Sequence, residues 1–193
     1  MKATRRRASE FPAANQYWAF DGLNGHIVYY DFAGDHGPGG SDHSDGTVRR
    51  FAEATVTRVP DVPSHMEIDH ATGILYVADT GAGRIMGLDT GGGAFGGSLP
   101  GNWDGLDEYS QWGGATWSQF AAGLQQPSGL ALHDGRVFVS DHATQEIIAF
   151  DMSGTELGRM QTDATGIMGI TVGPNGQLWY ADGASDEIVR VDP

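Results

Sequence analysis

The sequence predicts an all-β protein, and three observations lead to that fold class. The 193 residues include 30 glycines, which suit tight turns and are unfavourable inside helices. Valine, isoleucine and aromatic residues recur at the spacing of short strands. The third observation is an internal repeat. Hydrophobic residues make up 39% of the chain, which is enough to build the core of a single domain.

The repeat occurs four times, and each copy reads aromatic, two residues, Asp, five residues, Ile, three residues, Asp. The copies are WAFDGLNGHIVYYD from Trp18, YVADTGAGRIMGLD from Tyr76, FVSDHATQEIIAFD from Phe138 and WYADGASDEIVRVD from Trp179. Each copy predicts a β-hairpin with a turn that begins at the first Asp. An Asp side chain at such a corner accepts hydrogen bonds from turn N–H groups, so we assign the eight repeated aspartates a structural role.

Further strands are predicted on both sides of these hairpins. Upstream strands precede the last three copies: PSHMEID from Pro63, PSGLALH from Pro127 and IMGITVG from Ile167. Downstream strands follow the first three copies: GTVRRF from Gly46, ATWSQF from Ala115 and ELGRMQ from Glu156. A meander of three to four strands that repeats about every 40 to 60 residues predicts the blades of a β-propeller.

The block PSGLALHDGRVFVSDHATQEIIAFDMSG from Pro127 resembles an NHL repeat, and residues 15–193 are similar to a stretch of NHL-type β-propeller. The resemblance implies four blades at about residues 15–60, 61–122, 123–162 and 163–193, after an irregular N-terminal segment at residues 1–14. NHL propellers usually have six blades, so we expect an incomplete or self-associating part of such a ring. Blade faces left uncovered at its ends would favour self-association.

The charge balance limits the partners. Eleven Lys and Arg against 25 Asp and Glu give a net charge of -14 at pH 7, so nucleic acid and anionic membranes would be repelled. No apolar run reaches the roughly 18 to 20 residues of a membrane helix. The absence of cysteine excludes disulfides, thiolate metal ligands and cysteine catalysis. The acidic, lysine-poor, glycine-rich composition favours an extracytoplasmic setting by analogy.

The loop DHGPGGSDHSDG is a candidate metal site. It brings carboxylates and imidazoles together, which suits Zn or another borderline ion, or Ca if only the carboxylates bind. The candidate ligands are Asp35, His36, Asp42, His43 and Asp45. Two other interpretations remain open: a metal-free loop held by Asp and Ser turns, and a mobile loop.

A second insertion, from Gly91 to Trp117, is rich in glycine and aromatic residues. Aromatic rings on a loop can stack on sugars or pack against a partner protein. We therefore name Trp103, Tyr109 and Trp112 as candidate ligand-binding residues. The alternative is that these rings cover the hydrophobic edge of a blade.

A resemblance to NHL-type lyases implies axial histidines around zinc. The equivalent positions here hold His65, Gly129 and Gly169, and three protein ligands are the usual minimum for catalytic zinc. The candidate catalytic residues are nevertheless His65, Glu67, which projects on the same side of its strand, and His142.

Two functions follow from these observations. The first is a binding or scaffold propeller that recognises a protein or glycan ligand through its loops, with a metal-stabilised loop. The alternative is a metal-dependent lyase or hydrolase with its site at the axial face. No GxSxG, P-loop, HExxH or dinucleotide motif occurs in the sequence, so none of those chemistries is predicted.

Overall fold

A computed structural model of the chain describes residues 15–33, 40, 42–101 and 105–191. These residues form sixteen β-strands and one 3-10 turn, Thr80–Ala82, without an α-helix in the described ranges. Within the same ranges, no helix has the length and apolar character that a membrane span requires. The predicted all-β class is confirmed.

The strands are, in chain order, β1 (Gln16–Asp21), β2 (His26–Phe32), β3 (Gly46–Thr55), β4 (Met66–Asp69), β5 (Ile74–Asp79), β6 (Arg84–Asp89), β7 (Ala94–Ser98), β8 (Glu108–Gly113), β9 (Trp117–Ala122), β10 (Pro127–His133), β11 (Arg136–Asp141), β12 (Glu146–Asp151), β13 (Glu156–Gln161), β14 (Ile167–Val172), β15 (Leu178–Asp182) and β16 (Glu187–Arg190). They form four sheets with the strand orders β1-β2-β3-β8-β7, β4-β5-β6-β9, β10-β11-β12-β13 and β14-β15-β16. We number these sheets 1 to 4 in chain order.

The repeat forms the predicted hairpins β1-β2, β5-β6, β11-β12 and β15-β16. The first Asp of a copy fastens its turn to the segment that enters the same sheet. Asp79 accepts the Thr57 N–H at 2.6 Å, and buried Asp141 accepts those of Gln125 and Gln126 at 2.6 and 3.0 Å. The structural role predicted for these aspartates is confirmed at both positions.

The core lies between successive sheets, in three clusters of buried side chains. Strand alternation sends neighbouring residues to opposite faces of a sheet. On β5, Leu75 and Val77 therefore pack towards sheet 1, whereas Tyr76 and Ala78 pack towards sheet 3. The third cluster, which includes Ala131, joins sheets 3 and 4 in the same manner. In the described part of the chain, no buried cluster joins sheet 4 to sheet 1.

The second insertion extends sheet 1, although in the sequence it lies between β6 and β9, which are two strands of sheet 2. Strand β8 pairs in parallel with β3, with Thr47 opposite Glu108 and Phe51 opposite Trp112, and β7 pairs antiparallel with β8. Periodicity does not reveal this pairing, because a hairpin signal says nothing about which distant edge the hairpin will join.

The first strands of sheets 3 and 4, β10 and β14, approach each other closely. This contact provides a test of the face-to-face packing of the two sheets. A Cβ on Gly129 of β10 would lie 2.6 Å from the Ile170 nitrogen and 2.7 Å from the Gly169 Cα, whereas one on Gly158 of β13 would meet nothing within 4 Å. We expect Gly129→Ala to destabilise the fold by about 1–3 kcal/mol and Gly158→Ala to stay within about 0.5 kcal/mol of the parent. Urea denaturation measures both, and similar losses in the two variants would contradict the packing.

Candidate functional site

A cleft of about 920 Å³ lies between sheets 1 and 2. Its volume is within the range of known ligand sites. Three consecutive residues of β1, Gln16, Tyr17 and Trp18, border it. Consecutive residues point to opposite faces of a strand, so this side of the cleft follows the edge of β1.

The edge of β1 that borders the cleft lacks a neighbouring strand among the described residues. In the other three sheets an inner strand occupies this place: β4 beside β5, β10 beside β11 and β14 beside β15. The Ala78 N–H, for example, donates to the His65 carbonyl at 2.9 Å. Its equivalent in the first copy of the repeat is Phe20. The cleft therefore lies where an inner strand of sheet 1 would run.

The direction of the β1 backbone groups agrees with this interpretation. The Phe32 N–H donates to the Asn15 carbonyl at 3.0 Å, and hydrogen-bonded pairs alternate along an antiparallel ladder. The N–H and C=O groups of Gln16, Trp18 and Phe20 therefore point away from β2. These groups are the ones that an added strand would bond.

The burial of the inner strands also indicates that a strand position beside β1 is unfilled among the described residues. Strand β10 lies between two other inner strands, and its residues Pro127–Ala131 are all buried. Strand β4 has an inner strand on one side, and its four residues are only partly buried. The difference arises because no described strand fills the space beside β4 on the sheet 1 side.

The walls of the cleft combine polar side chains with apolar ones contributed by both sheets. Sheet 1 contributes Trp18 and Tyr29, whose ring centroids lie 5.0 Å apart. Sheet 2 contributes Met66, Ile68 and Leu75, which belong to the cluster between these two sheets. A ligand in the cleft would therefore remove apolar surface from water on two sides.

At the end of the cleft, a charged network fixes β8 of the insertion to β3. Arg49 makes two hydrogen bonds of 3.1 Å to Glu108 and lies 4.1 Å from the centre of the Trp112 ring. The indole N–H of Trp112 donates to Glu108 at 2.9 Å. Burial alone would raise the pKa of Glu108, but hydrogen bonds from Arg49, Ser110 and Trp112 outweigh it and lower the pKa to about 2.

A second polar group lies beside the mouth of the cleft. The Tyr29 hydroxyl and the Gln16 amide donate to Asp31 at 3.0 and 2.9 Å. Burial, reinforced by the hydrogen bond to Asp31, raises the pKa of Tyr29. The phenol is therefore a fixed donor within the wall, and its orientation is set before a ligand arrives.

The axial candidates His65 and Glu67 also border the cleft, but they lie on the other side of the β4 chain from Met66. Glu67 pairs across the ladder with Tyr76, which packs towards sheet 3. The His65 Nδ1 accepts the Leu130 N–H at 3.3 Å. Burial raises the pKa of Glu67, and the nearby His65 and His70 partly oppose the shift.

The remaining axial candidate, His142, lies at the boundary between sheets 3 and 4. Its Nδ1 is 3.0 Å from the Ile167 carbonyl. Gly129 and Gly169, the equivalents of His65, carry no side-chain donors. Within the described ranges, no group of three or more His, Asp or Glu residues could hold a metal ion.

The predicted loop metal site lies partly outside the described residues, because Asp35 and His36 fall there. In the described part, Asp42 accepts the Ser44 N–H at 3.0 Å, and the His43 ring lies 5.2 Å from the Phe32 ring. These are contacts of a turn. The loop metal site remains a prediction.

Of the aromatic candidates, Trp103 also lies outside the described residues. Tyr109 and Trp112 belong to β8, within sheet 1. The Tyr109 hydroxyl accepts the Arg50 Nε–H at 2.9 Å, and Trp112 packs on Phe51, with ring centroids 6.4 Å apart. Both rings are only partly exposed. Their polar atoms thus already have partners within the chain.

Comparison with known proteins identifies the architecture. No family model and no curated protein matches the sequence. Among solved structures, the chain is similar to a streptogramin B lyase (TM-score 0.59, 15% identity, covering 92% of this chain and 48% of that one). It is also similar to virginiamycin B lyase from Staphylococcus aureus (TM-score 0.57, 14% identity, 92% and 52%). The chain thus spans about half the length of these proteins, and its fold is that of a partial β-propeller.

The Glu108 network predicts a dependence of stability on pH. The pKa of Glu108 is lowered in the folded chain from 4.5 to about 2, so its stabilising effect is present above pH 4.5 and is lost as the pH falls towards 2. We expect Glu108→Gln to be less stable than the parent at pH 7, with the difference shrinking across this window. Urea midpoints at pH 7, 4 and 3 measure it.

Glu67 provides the matched comparison, because its pKa is shifted the other way. Burial disfavours its charged form, so the carboxylate costs stability at pH values above its folded pKa. We expect Glu67→Gln to be at least as stable as the parent at pH 7. A loss of stability at pH 7 in Glu67→Gln as large as in Glu108→Gln would contradict both assignments.

Proposed function

We propose that the protein is a binding propeller that recognises a partner protein by accepting an extended peptide segment of it as the inner strand of sheet 1. The observation that supports this most directly is the position of the cleft, beside the unpaired edge of β1 and next to β4. Strand addition to an exposed sheet edge is a general mode of peptide recognition.

The backbone supplies the affinity in this proposal. Gln16, Trp18 and Phe20 offer N–H and C=O groups in the register that Ala78 uses with His65. An extended peptide can bond these groups without any rearrangement of β1. Because such bonds involve only main-chain atoms, they place no demand on the sequence of the peptide.

The walls supply the selectivity. Alternate side chains of the bound strand would contact sheet 2, as Ala131 of β10 packs in one cluster with Ile170 of β14. The equivalent of Ile170 in sheet 2 is Met66, with Ile68 two residues further along. We therefore expect peptides with apolar residues at alternate positions to be preferred.

Peptide binding is better supported than the other candidates. A glycan site needs exposed aromatic faces with free polar groups, whereas the Tyr109 hydroxyl and the Trp112 indole N–H are hydrogen-bonded to neighbours. A metal-dependent lyase or hydrolase needs a ligand set that the described residues do not provide. Membership of the NHL type fits the same proposal, since strand addition depends only on the blade pattern.

A pair of synthetic peptides tests the backbone contribution. Both copy the inner strand PSGLALH and carry identical side chains, but they are N-methylated on alternate sets of amides. Only one set of amides can face β1, so we expect one peptide to bind in calorimetry and the other to lose binding. Equal affinity of the two peptides would exclude strand addition.

Two protein variants test the walls with the unmethylated peptide. Met66→Lys should weaken binding at least about tenfold, because apolar burial worth about 1.5–3 kcal/mol is lost. Met152→Lys, the same change at a side chain that is 38% exposed and does not border the cleft, should leave the affinity unchanged. Markedly tighter binding by a chain that begins at Asn15 would assign the cleft to residues 1–14 and contradict the proposal.

A further inference from the structure

The outer face of sheet 4 has the side chains of a buried face. The isoleucine of the repeat is buried in the first three copies, where Ile27, Ile85 and Ile147 are 0%, 0% and 4% exposed. Each lies in the cluster that its sheet forms with the following sheet. In the fourth copy, Ile188 is 69% exposed, because no described sheet follows.

The aromatic position of the repeat behaves in the same way. Trp18, Tyr76 and Phe138 pack in the three clusters between sheets. Trp179 is on the opposite face of β15 from Tyr180, which packs towards sheet 3, so Trp179 faces outward together with Ile188. This end of the chain therefore presents the surface that elsewhere receives the next sheet.

Sheet 1 presents the complementary surface at the other end. Tyr17 and Tyr30 occupy the positions that Leu75 and Leu88 hold in sheet 2, where both are at most 2% exposed against the preceding sheet. Tyr17 is 53% exposed. The intervening positions on this face are also apolar in all four copies: Ala19, Val77, Val139 and Tyr180 on one strand, and Val28, Met86, Ile148 and Val189 on the next. In sheet 1, Val28 is already buried within the chain at 0% exposure, so the accessible part of the face is centred on Tyr17.

We propose that a second copy of the chain covers these faces, with sheet 4 of each copy packed on sheet 1 of the other. The two ends carry the two halves of the interface that already joins sheets 1 to 2, 2 to 3 and 3 to 4. Two such contacts related by a two-fold axis close a ring of eight sheets, within the four to eight found in propellers.

Charge and polarity fit a reversible contact. The sheet 1 end also carries the ion pair between Arg50 and Asp21, a polar group of the kind found at the rims of interfaces. Each chain has a net charge of -14, so two copies repel each other over a distance that salt shortens. Association should therefore strengthen as ionic strength rises, as expected for an apolar contact between like-charged chains.

Light scattering after size exclusion tests the assembly of the full chain. We expect a particle of twice the chain mass of 20.5 kDa. Ile188→Asp and Tyr17→Asp should each weaken the dimer at least about tenfold, because each loses apolar burial worth more than 1.4 kcal/mol. Leu157→Asp, at a side chain of β13 that is 55% exposed, should leave the mass unchanged. Circular dichroism confirms that the three variants fold.

Mixing the two variants distinguishes the proposed geometry from a symmetric one. Ile188→Asp keeps an intact sheet 1 end, and Tyr17→Asp keeps an intact sheet 4 end, so one interface can form and a weaker mixed dimer should appear. If sheet 4 instead paired with its own copy, Tyr17→Asp alone would remain dimeric and mixing would add nothing. A Tyr17→Asp variant that remains dimeric alone would overturn the proposal. So would a wild-type chain that stays monomeric at high concentration and high salt, or one whose assemblies grow beyond the dimer without limit.

Discussion

The constraint on which this structure depends is that every sheet of a propeller has two faces to bury. Strand alternation separates the apolar residues of each hairpin into two sets, one for the preceding sheet and one for the following sheet. In sheets 2 and 3 both sets are buried, as Leu75 and Tyr76 illustrate at 2% and 4% exposure. The arrangement is modular, because each sheet contacts only its neighbours. Among the described residues, the first and the last sheet of the series each have one set that no neighbouring sheet covers.

The same modular pattern explains the cleft. Sheets 2, 3 and 4 each begin with an inner strand, and the tight contact between β10 and β14 requires glycine at position 129. Among the described residues, sheet 1 begins instead with β1, so none of them fills the strand position beside β4. The insertion does not fill this position: β7 and β8 extend the opposite edge of sheet 1, where Arg49, Glu108 and Trp112 fix them.

The sequence predicted the hairpins well, because a column such as Ile27, Ile85 and Ile147 records a packing requirement that recurs in every sheet. It also led to the expectation that the first copy lacks an upstream strand, which stays a prediction because residues 1–14 lie outside the described residues. It did not predict that β8 would pair with β3, since the Phe51–Trp112 contact joins residues that no local periodicity relates. The cleft was missed because it is defined by a strand position that no described residue fills, although comparing the four copies could have indicated the edge of β1.

The edges of the sheets differ in how far charged side chains protect them, and β1 belongs to the edges with little such protection. Unpaired strands are usually protected by charged side chains. The outer strand β13 follows that rule, because Arg159 bonds Glu156 and Glu146 at 2.8 and 3.3 Å across its surface. Strand β1 has the sequence QYWAFD, in which the one charged residue is the terminal Asp21. The edge strands β7, β9 and β14 also lack charged residues, so the absence of charge does not by itself select β1. What distinguishes β1 is the cleft beside it, which is wide enough for an added strand and is bordered on its far side by β4.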